Sequence, residues 1–228
     1  MAAYVVIAEQ GIEKLSLRDI ARRLGVSHQA PYKHYPSRDH LLAEVMRRCF
    51  ERFAQFLDGA QAGADPQQDM ALLGQAYLRY ALDNPLEYRL MFGTPWPSTA
   101  EHPALLHDAR HSFNVLRKAI ARTRTNDKKT PSQNDLDALF VWSSMHGLAT
   151  IMQSNVMDRL ALSRQVLKQA VPHTLAMVGA ALGASSLVAT KAPEPAPGAT
   201  RARRQRRPGG TFPAAARAAK DKPPSSKA

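Results

Sequence analysis

Cysteine is almost missing from this chain of 228 residues, whose single thiol belongs to Cys49. One thiol excludes a disulfide within the chain and any metal cluster held by several cysteines. Cys49 stands beside Phe50 in an apolar stretch with helical spacing. Free cysteine is among the most buried residue types, so we predict a structural thiol rather than a reactive one.

Long apolar runs and known catalytic motifs are also missing. No run approaches the about 20 residues of a membrane-spanning helix, and the apolar first eight residues lack the basic flank of a signal peptide. No phosphate-binding glycine loop, zinc-protease motif or serine-hydrolase elbow occurs, and the eight histidines are scattered. We therefore expect a cytoplasmic protein without membrane contact that is not an enzyme and has no catalytic residues, cofactor or metal.

Positive charge is concentrated at the end of the chain. Of the formal net charge of +12, residues 189–228 contribute ten Lys or Arg and two Asp or Glu. This Pro- and Ala-rich segment has too few apolar residues to offset the entropy cost of ordering. We predict a disordered, solvated tail, with non-specific phosphate contacts by Arg201–Arg207 as the alternative. A role in nucleic-acid binding must therefore rest on the preceding residues.

Apolar residues recur at helical spacing before the tail, and strand patterns are nearly absent. The predicted fold is all-α, with about nine helices bounded by capping and breaking residues. Their expected ranges are Ala2–Gln10, Leu17–Leu24, Ser27–Tyr35, Leu41 to the Gly59–Gly63 region, Pro66–Asn84, Leu86–Phe92, His102–Arg124, Leu136–Val156 and Ser163–Leu182. A polar connector is expected over Thr125–Gln133, and Pro172 predicts a kink or a later start in the last helix.

Residues 17–35 fit the plan of a helix-turn-helix. Ser16 is placed to cap the first helix, which carries four apolar residues on one face: Leu17, Ile20, Ala21 and Leu24. Gly25 can adopt the left-handed conformation that ends a helix, and Val26 is expected to fill the turn from inside. The second helix, from Ser27, is too short and polar to be stable alone, so it needs a supporting scaffold.

Two stretches of sequence resemble the DNA-binding domain of TetR-type transcriptional regulators. They are IEKLSLRDIARRLGVS, from Ile12 to Ser27, and PYKHYPSRDHLL, from Pro31 to Leu42. The resemblance covers about the first 45 residues, with Tyr35 at a position where the family usually has Phe. It implies an N-terminal three-helix DNA-binding domain followed by a helical effector-binding and dimerisation domain.

The resemblance also implies which residues contact DNA, because the second helix of the motif enters the major groove. They are Arg18, Ser27, His28, Gln29, Ala30, Pro31, Tyr32, Lys33, His34 and Arg38. Gln29 can pair with adenine, and Ala30 or Pro31 can meet a thymine methyl group. Tyr32 and Lys33 would hold phosphates. His34 would do so too, with a packing role as an equal alternative, and for Tyr35 burial is favoured.

A second resemblance lies in the C-terminal half. Trp142 and His146 are four residues apart and share a helical face, and the pattern Trp-x-x-x-His-Gly is similar to one in a TetR subgroup. We consider an effector pocket lined by Tyr77, Tyr80, Tyr88, Met91, Phe92, Trp142 and His146. Such an apolar pocket predicts a hydrophobic small-molecule effector. The alternative is that His146 is a hydrogen-bonded core residue and the aromatic residues are ordinary core.

Together these patterns predict a homodimeric bacterial repressor with domains at 1–45 and 46–188 and a tail at 189–228. As the resemblance suggests, the last two helices would pair with their symmetry mates, and a two-fold dimer predicts a near-palindromic operator. Effector binding would favour a form that no longer fits the operator. The alternatives are a sequence-nonspecific DNA-associated protein that uses the tail, and a helical small-molecule-binding protein.

Overall fold

The computed structural model describes residues 2–60, 63, 65–123, 130–154 and 156–184. Within these ranges the regular structure is helical without any strand, which confirms the predicted all-α fold. The helices are α1 (Ala2–Gln10), α2 (Leu17–Leu24), α3 (Arg38–Asp58), α4 (Pro66–Asp83), α5 (Pro85–Phe92), α6 (Pro103–Arg122), α7 (Pro131–Gln153), α8 (Val156–Arg159) and α9 (Arg164–Ala184). None of these described helices has the length and apolar composition that crossing a membrane requires. The predicted disordered tail lies outside the described residues.

Local signals position the first three helices. Ser16 Oγ accepts a hydrogen bond from the Asp19 N–H at 3.4 Å and so caps α2. Gly25 ends α2 at a φ of 65°, the left-handed conformation expected of it. The guanidinium of Arg38, at the start of α3, donates to the carbonyl of Ile12 at 2.8 Å. This bond ties α3 to the 3-10 turn Ile12–Lys14, which connects α1 and α2.

The segment after α2 differs from the predicted second helix. It is a series of tight turns that includes the 3-10 turn Pro31–Lys33, rather than an α-helix over Ser27–Tyr35. The carbonyl of Ser27 accepts from the Ala30 N–H at 3.0 Å. Pro31 has no N–H to donate to that carbonyl, so the bond pattern of an α-helix cannot form there.

Two apolar residues at the turn are not buried as expected. Leu24 is 57% exposed and Val26 is 44% exposed. Both flank Gly25, past the part of α2 whose side chains Leu17, Ile20 and Ala21 are buried. The prediction that Leu24 belongs to the buried face and that Val26 fills the turn from inside is therefore wrong.

Helix α3 spans the predicted boundary between the DNA-binding domain and the effector-binding domain. It runs without interruption for 21 residues from the N-cap Ser37, whose Oγ accepts from the His40 N–H at 3.3 Å. Its second half carries Phe50 and Phe53 into the core, where each is 2% exposed. The predicted domain boundary at residues 45 and 46 lies inside this helix, so no linker separates the two parts there.

The C-terminal helices depart from prediction at their starts. Helix α7 begins at Pro131 rather than Leu136, because the Gln133 side chain accepts from the Thr130 N–H at 3.2 Å in a capping box. The expected polar connector is thus wrong in its last residues. The four-residue α8 was not predicted, and α9 starts at Arg164 and continues through Pro172, so its start is not displaced.

Candidate functional site

The turns after α2 form an exposed polar surface. We name residues 27–34 the reading segment; within it Ser27, His28 and Gln29 are exposed and Ala30 is half-buried. Tyr32, Lys33 and His34 are exposed as well. The exposure of His34 leaves its ring available for phosphate contact, and the alternative that it orients the turn stays a prediction. The segment offers amide, imidazole, hydroxyl and ammonium groups, the types that bind base edges and phosphates.

Two basic residues of the first 45, one on α2 and one in the reading segment, carry unpaired positive charge. Within the described ranges the side chains of Arg18 and Lys33 have no salt bridge, and both are exposed. By contrast, Arg22 pairs with Asp19 at 2.7 Å and Arg23 pairs with Glu9 at 2.6 Å. Arg18 and Lys33 therefore have donors to offer a polyanion without breaking an ion pair.

Pro31 and Arg38, which are expected to contact DNA, have surroundings that limit such contact. Pro31 is buried, so its ring packs inside the module and cannot meet a thymine methyl group. Arg38 keeps 43% of its side chain exposed, but its guanidinium binds the carbonyls of Ile12 and Leu15 at 2.8 and 3.2 Å. Tyr35 is half-buried against the core, in agreement with the packing role favoured for it.

A cavity of about 270 Å³ lies among helices α3 to α7. Seven aromatic rings line it: Phe50, Phe53, Tyr77, Phe92, Trp96, Phe113 and Trp142. Aliphatic side chains fill most of the remaining wall: Leu57, Met70, Leu73, Leu116, Val141 and Met145. The hydroxyl of Ser112 also lines it but donates to the Asp108 carbonyl at 3.2 Å. The interior therefore offers apolar contact and almost no free polar group.

The cavity overlaps only in part with the predicted pocket. Of the seven residues considered, Tyr77, Phe92 and Trp142 line it. Met91 is fully buried elsewhere in the core. The helical spacing of Phe50 and Phe53 predicts that both are buried on the core-facing side of α3. It contains no signal that they also border a cavity.

Tyr77, Tyr88 and His146 form a hydrogen-bonded group, which we call the tyrosine–histidine cluster. The Tyr77 and Tyr88 hydroxyls lie 2.8 Å apart, and the Tyr88 hydroxyl lies 2.6 Å from Nδ1 of His146. Burial raises the pKa of Tyr88 to about 12 and also raises that of Tyr77, so both keep their protons. Burial lowers the pKa of His146, which favours the neutral imidazole.

An outer cleft of about 550 Å³ lies on the other side of this cluster. Its lining includes Tyr88, Arg89, His146 and Thr150 from helices α5 and α7, and Ala8 from α1. Phe92 borders both the cleft and the cavity. The two spaces thus share a wall but differ in polarity.

A second polar group, the glutamate cluster, consists of Arg52, Tyr80 and Glu87. The Glu87 carboxylate accepts from the Tyr80 hydroxyl at 2.5 Å and from the Arg52 guanidinium at 2.6 Å. Burial and the neighbouring carboxylate raise the pKa of Tyr80. The cluster joins α3, α4 and α5, which makes Tyr80 a structural residue rather than part of the cavity wall.

The thiol of Cys49 lies next to the glutamate cluster. It is fully buried, as predicted, and burial raises its pKa to about 12. A protonated thiol is a poor nucleophile and a poor metal ligand. In the part of the chain that the structure describes, no three His, Cys, Asp or Glu residues lie close enough to hold a metal ion together.

Helices α7 and α9 expose apolar side chains, among them Leu136, Phe140 and Ile151 on α7 and Val166 and Met177 on α9. On α7, Gly147 shares a helical face with Leu136, Phe140 and Ile151, and a Cβ atom there would have no atom within 4 Å. These faces permit close approach of another helix.

Two family models match the chain. The model for bacterial regulatory proteins of the tetR family matches residues 1–45, which include the reading segment. The model for the tetracyclin repressor-like C-terminal domain matches residues 70–172, which include the helices α4 to α7.

Individual relatives agree with these matches. The chain is 33% identical over 94 residues to the HTH-type transcriptional regulator Rv1816 of Mycobacterium tuberculosis, and this match spans 40% of each protein. The crystal structure of the regulatory protein SCO4313 is 28% identical, with a TM-score of 0.63 over 77% of this chain and 90% of that one. The TetR family transcriptional regulator PfmR from Thermus thermophilus shares the fold at 21% identity and a TM-score of 0.52, over 65% of this chain and 82% of that one.

Proposed function

The chain belongs to the tetR family of bacterial regulatory proteins, and on this premise we propose that it is a sequence-specific transcriptional repressor. In this proposal a homodimer binds a near-palindromic operator in the cytoplasm, and a small-molecule effector releases it. Residues 1–45 bind DNA, residues 46–188 bind the effector and the second subunit, and residues 189–228 form an accessory tail.

The observation that carries the proposal is the exposed reading segment on a packed helical support. The groups of His28 and Gln29 are exposed, while Pro31 in the following turn is buried and holds the segment in place. Gln29 can pair bidentately with adenine, and Ala30 can meet a thymine methyl group. Arg18, Ser27, Tyr32, Lys33 and His34 are assigned to phosphates, which set the register of the protein on the duplex.

The exposed faces of α7 and α9 support a two-fold dimer. Apolar side chains such as Phe140 and Met177 are exposed there, and on α7 Gly147 shares the face of Phe140 and has open space above it. Packing against a second copy would bury these side chains. A two-fold dimer presents two reading segments about one helical turn of DNA apart.

The cavity is the proposed effector site. Helix α3 borders it with Phe50 and Phe53 and begins, at Arg38, against the turn that supports α2. The glutamate cluster fixes the same helix to α4 and α5 through Arg52 and Glu87. A ligand that shifts these helices therefore acts on the support of the reading segment, and it favours whichever arrangement it binds more tightly.

The proposal is tested by selecting bound sequences from a random DNA library and measuring affinity by mobility shift. We expect a near-palindromic consensus. Replacing Gln29 and Tyr32 together by Ala should weaken specific binding about a hundredfold, since the base contact of Gln29 is worth about 1–3 kcal/mol and the loss of Tyr32 also removes a phosphate contact. Both side chains are exposed, so thermal stability should stay unchanged.

A chain that ends at Leu187 is the matched control. It lacks the basic tail and keeps the reading segment, so we expect it to retain specific binding and to lose only salt-sensitive, non-specific affinity. If removing the tail abolishes DNA binding while the Gln29 and Tyr32 replacements do not, the protein is a non-specific DNA-associated protein and the proposal is wrong.

A further inference from the structure

The cavity and the cleft differ in chemistry although they share the ring of Phe92. The cavity of about 270 Å³ is walled almost entirely by carbon, and a void of about 150 Å³ with such walls already takes up benzene. The cavity therefore suits an apolar group larger than a single ring. A charged group inside it would lose its hydration without gaining a partner.

The cleft, in contrast, presents hydrogen-bond donors and no carboxylate. Neither Asp nor Glu is among the residues that line it in the described part of the chain. The guanidinium of Arg89 forms no salt bridge or hydrogen bond within the described ranges and can offer all its N–H groups. The hydroxyl of Thr150, on an exposed residue of α7, lies in the same lining.

The tyrosine–histidine cluster adds a further donor to the cleft. Both tyrosine hydroxyls keep their protons, so each needs an acceptor. These requirements are met when Tyr77 donates to Tyr88 and Tyr88 donates to Nδ1 of His146, at 2.8 and 2.6 Å. In the neutral imidazole the proton then resides on Nε2. His146 lines the cleft, so its Nε2–H is available to an acceptor there.

We propose that the effector is an amphipathic anion whose apolar part occupies the cavity and whose carboxylate, sulfonate or phosphate group binds Arg89 and His146 in the cleft. This inference rests on the proposed function for the assignment of the cavity as the effector site. The ring of Phe92, on the last turn of α5, borders both spaces, and this binding mode requires the ring to move so that the two spaces join.

The position of the cleft links the anion to DNA binding. Ala8 of α1 is part of its lining, opposite the residues from α5 and α7. The anionic group would thus bind between the effector domain and the first helix of the DNA-binding module. A wholly apolar ligand confined to the cavity would make no such contact.

Two fluorescent probes test the inference on the full-length protein. They are 8-anilino-1-naphthalenesulfonate and N-phenyl-1-naphthylamine, which is the same molecule without the sulfonate. We expect both to bind. Replacing Arg89 by Gln should weaken binding of the sulfonate probe about fivefold, as expected for a partly exposed charge-assisted contact. The amine probe should change by less than about twofold, because it has no group for the cleft.

Further variants separate the two spaces. His146→Gln should act like Arg89→Gln, and Ala109→Leu, which fills the cavity, should weaken both probes. Arg110→Gln removes an exposed arginine outside the cleft and should change neither. The inference is overturned if only the amine binds, if Arg89→Gln leaves the affinity of the sulfonate probe unchanged, or if neither probe binds. Operator selection without any probe reports separately on the proposed function.

Discussion

The reading segment and the cavity differ in how far apart in the chain their members lie. The reading segment is eight consecutive residues, 27–34, held by local turns and by one buried proline. The cavity collects side chains from five helices, from Phe50 on α3 to Met145 on α7. One surface is set by local geometry and the other by how helices cross.

This difference has an energetic counterpart. Side chains of the reading segment are mostly exposed, so they contribute little to folding and are free to bind a partner. Side chains around the cavity are mostly buried and contribute to the stability of the domain even while they shape the proposed ligand site. We therefore expect substitutions in the reading segment to change DNA binding and substitutions around the cavity to change stability.

The largest effect is expected at the cavity wall. Phe53 is 2% exposed and contacts the rings of Tyr77, Tyr80 and Phe92, with centroids 5.0–6.1 Å apart. Phe53→Ala should lower the free energy of unfolding by about 3–5 kcal/mol, measured by urea denaturation. Phe56→Ala, on the same helix at 39% exposure, is the control and should cost about 1 kcal/mol. Equal losses would show that the cavity wall is not a packed core.

The next effect concerns the glutamate cluster. Glu87→Ala removes the acceptor of the Tyr80 hydroxyl and the Arg52 guanidinium and should cost about 2 kcal/mol, less than a fully buried pair because Arg52 is partly exposed. Asp83→Ala breaks the exposed pair with Arg79 and should change stability by less than about 0.5 kcal/mol. Thermal denaturation of both variants measures the difference. A cost at Glu87 no larger than at Asp83 would contradict a structural role for the cluster.

A smaller effect is expected at the cap that joins the DNA-binding module to α3. Ser37→Ala removes the acceptor of the His40 N–H and should lower the unfolding free energy by about 1 kcal/mol. Ser143→Ala is matched to it, because that exposed hydroxyl donates only to a carbonyl of its own helix, and it should be nearly neutral. If Ser37→Ala is neutral too, local capping does not hold the module.

The smallest effect is a pH dependence from His146. Burial lowers its pKa in the folded protein, so the folded state binds fewer protons than the unfolded state, where the pKa is about 6.5. Its contribution to stability is therefore present above about pH 6.5 and is lost as the pH falls through the folded-state pKa. Denaturation of the wild type and of His146→Gln between pH 8 and pH 5 should show curves that converge as the pH falls. A constant difference would exclude this role.

Features set by neighbouring residues could be predicted from the sequence, whereas features set by contacts between helices could not. Ser16 and Gly25 were assigned correctly because a cap and a left-handed glycine act on neighbouring residues. The start of α7 carries a local signal as well, since Thr130, Pro131 and Gln133 form a capping box with an N-terminal proline, whereas the apolar spacing begins only at Leu136. The burial of Leu24 was mispredicted because helical spacing says which residues share a face and not how far the neighbouring helix extends.

The cavity could be predicted only in outline. The Trp142 and His146 pattern pointed to α7, and Trp142 lines the cavity. His146 lines the cleft instead, because the two tyrosine hydroxyls hold its Nδ1. Spacing along one helix cannot show which side of a shared wall a residue will face. The lining residues of α6, such as Phe113, depend on contacts between helices that no local signal encodes.

The continuity of α3 has a mechanical consequence. Its 21 residues, at about 1.5 Å each, make a rod about 30 Å long with one end at the cavity and the other beside the reading segment. A tilt of about 4° at the cavity end moves the far end by about 2 Å. In the proposed two-fold dimer the two displacements would add to about 4 Å, close to the rise of one base pair of about 3.4 Å. A ligand that moved the wall of the proposed site by less than the width of an atom would therefore put the two subunits out of step with the DNA.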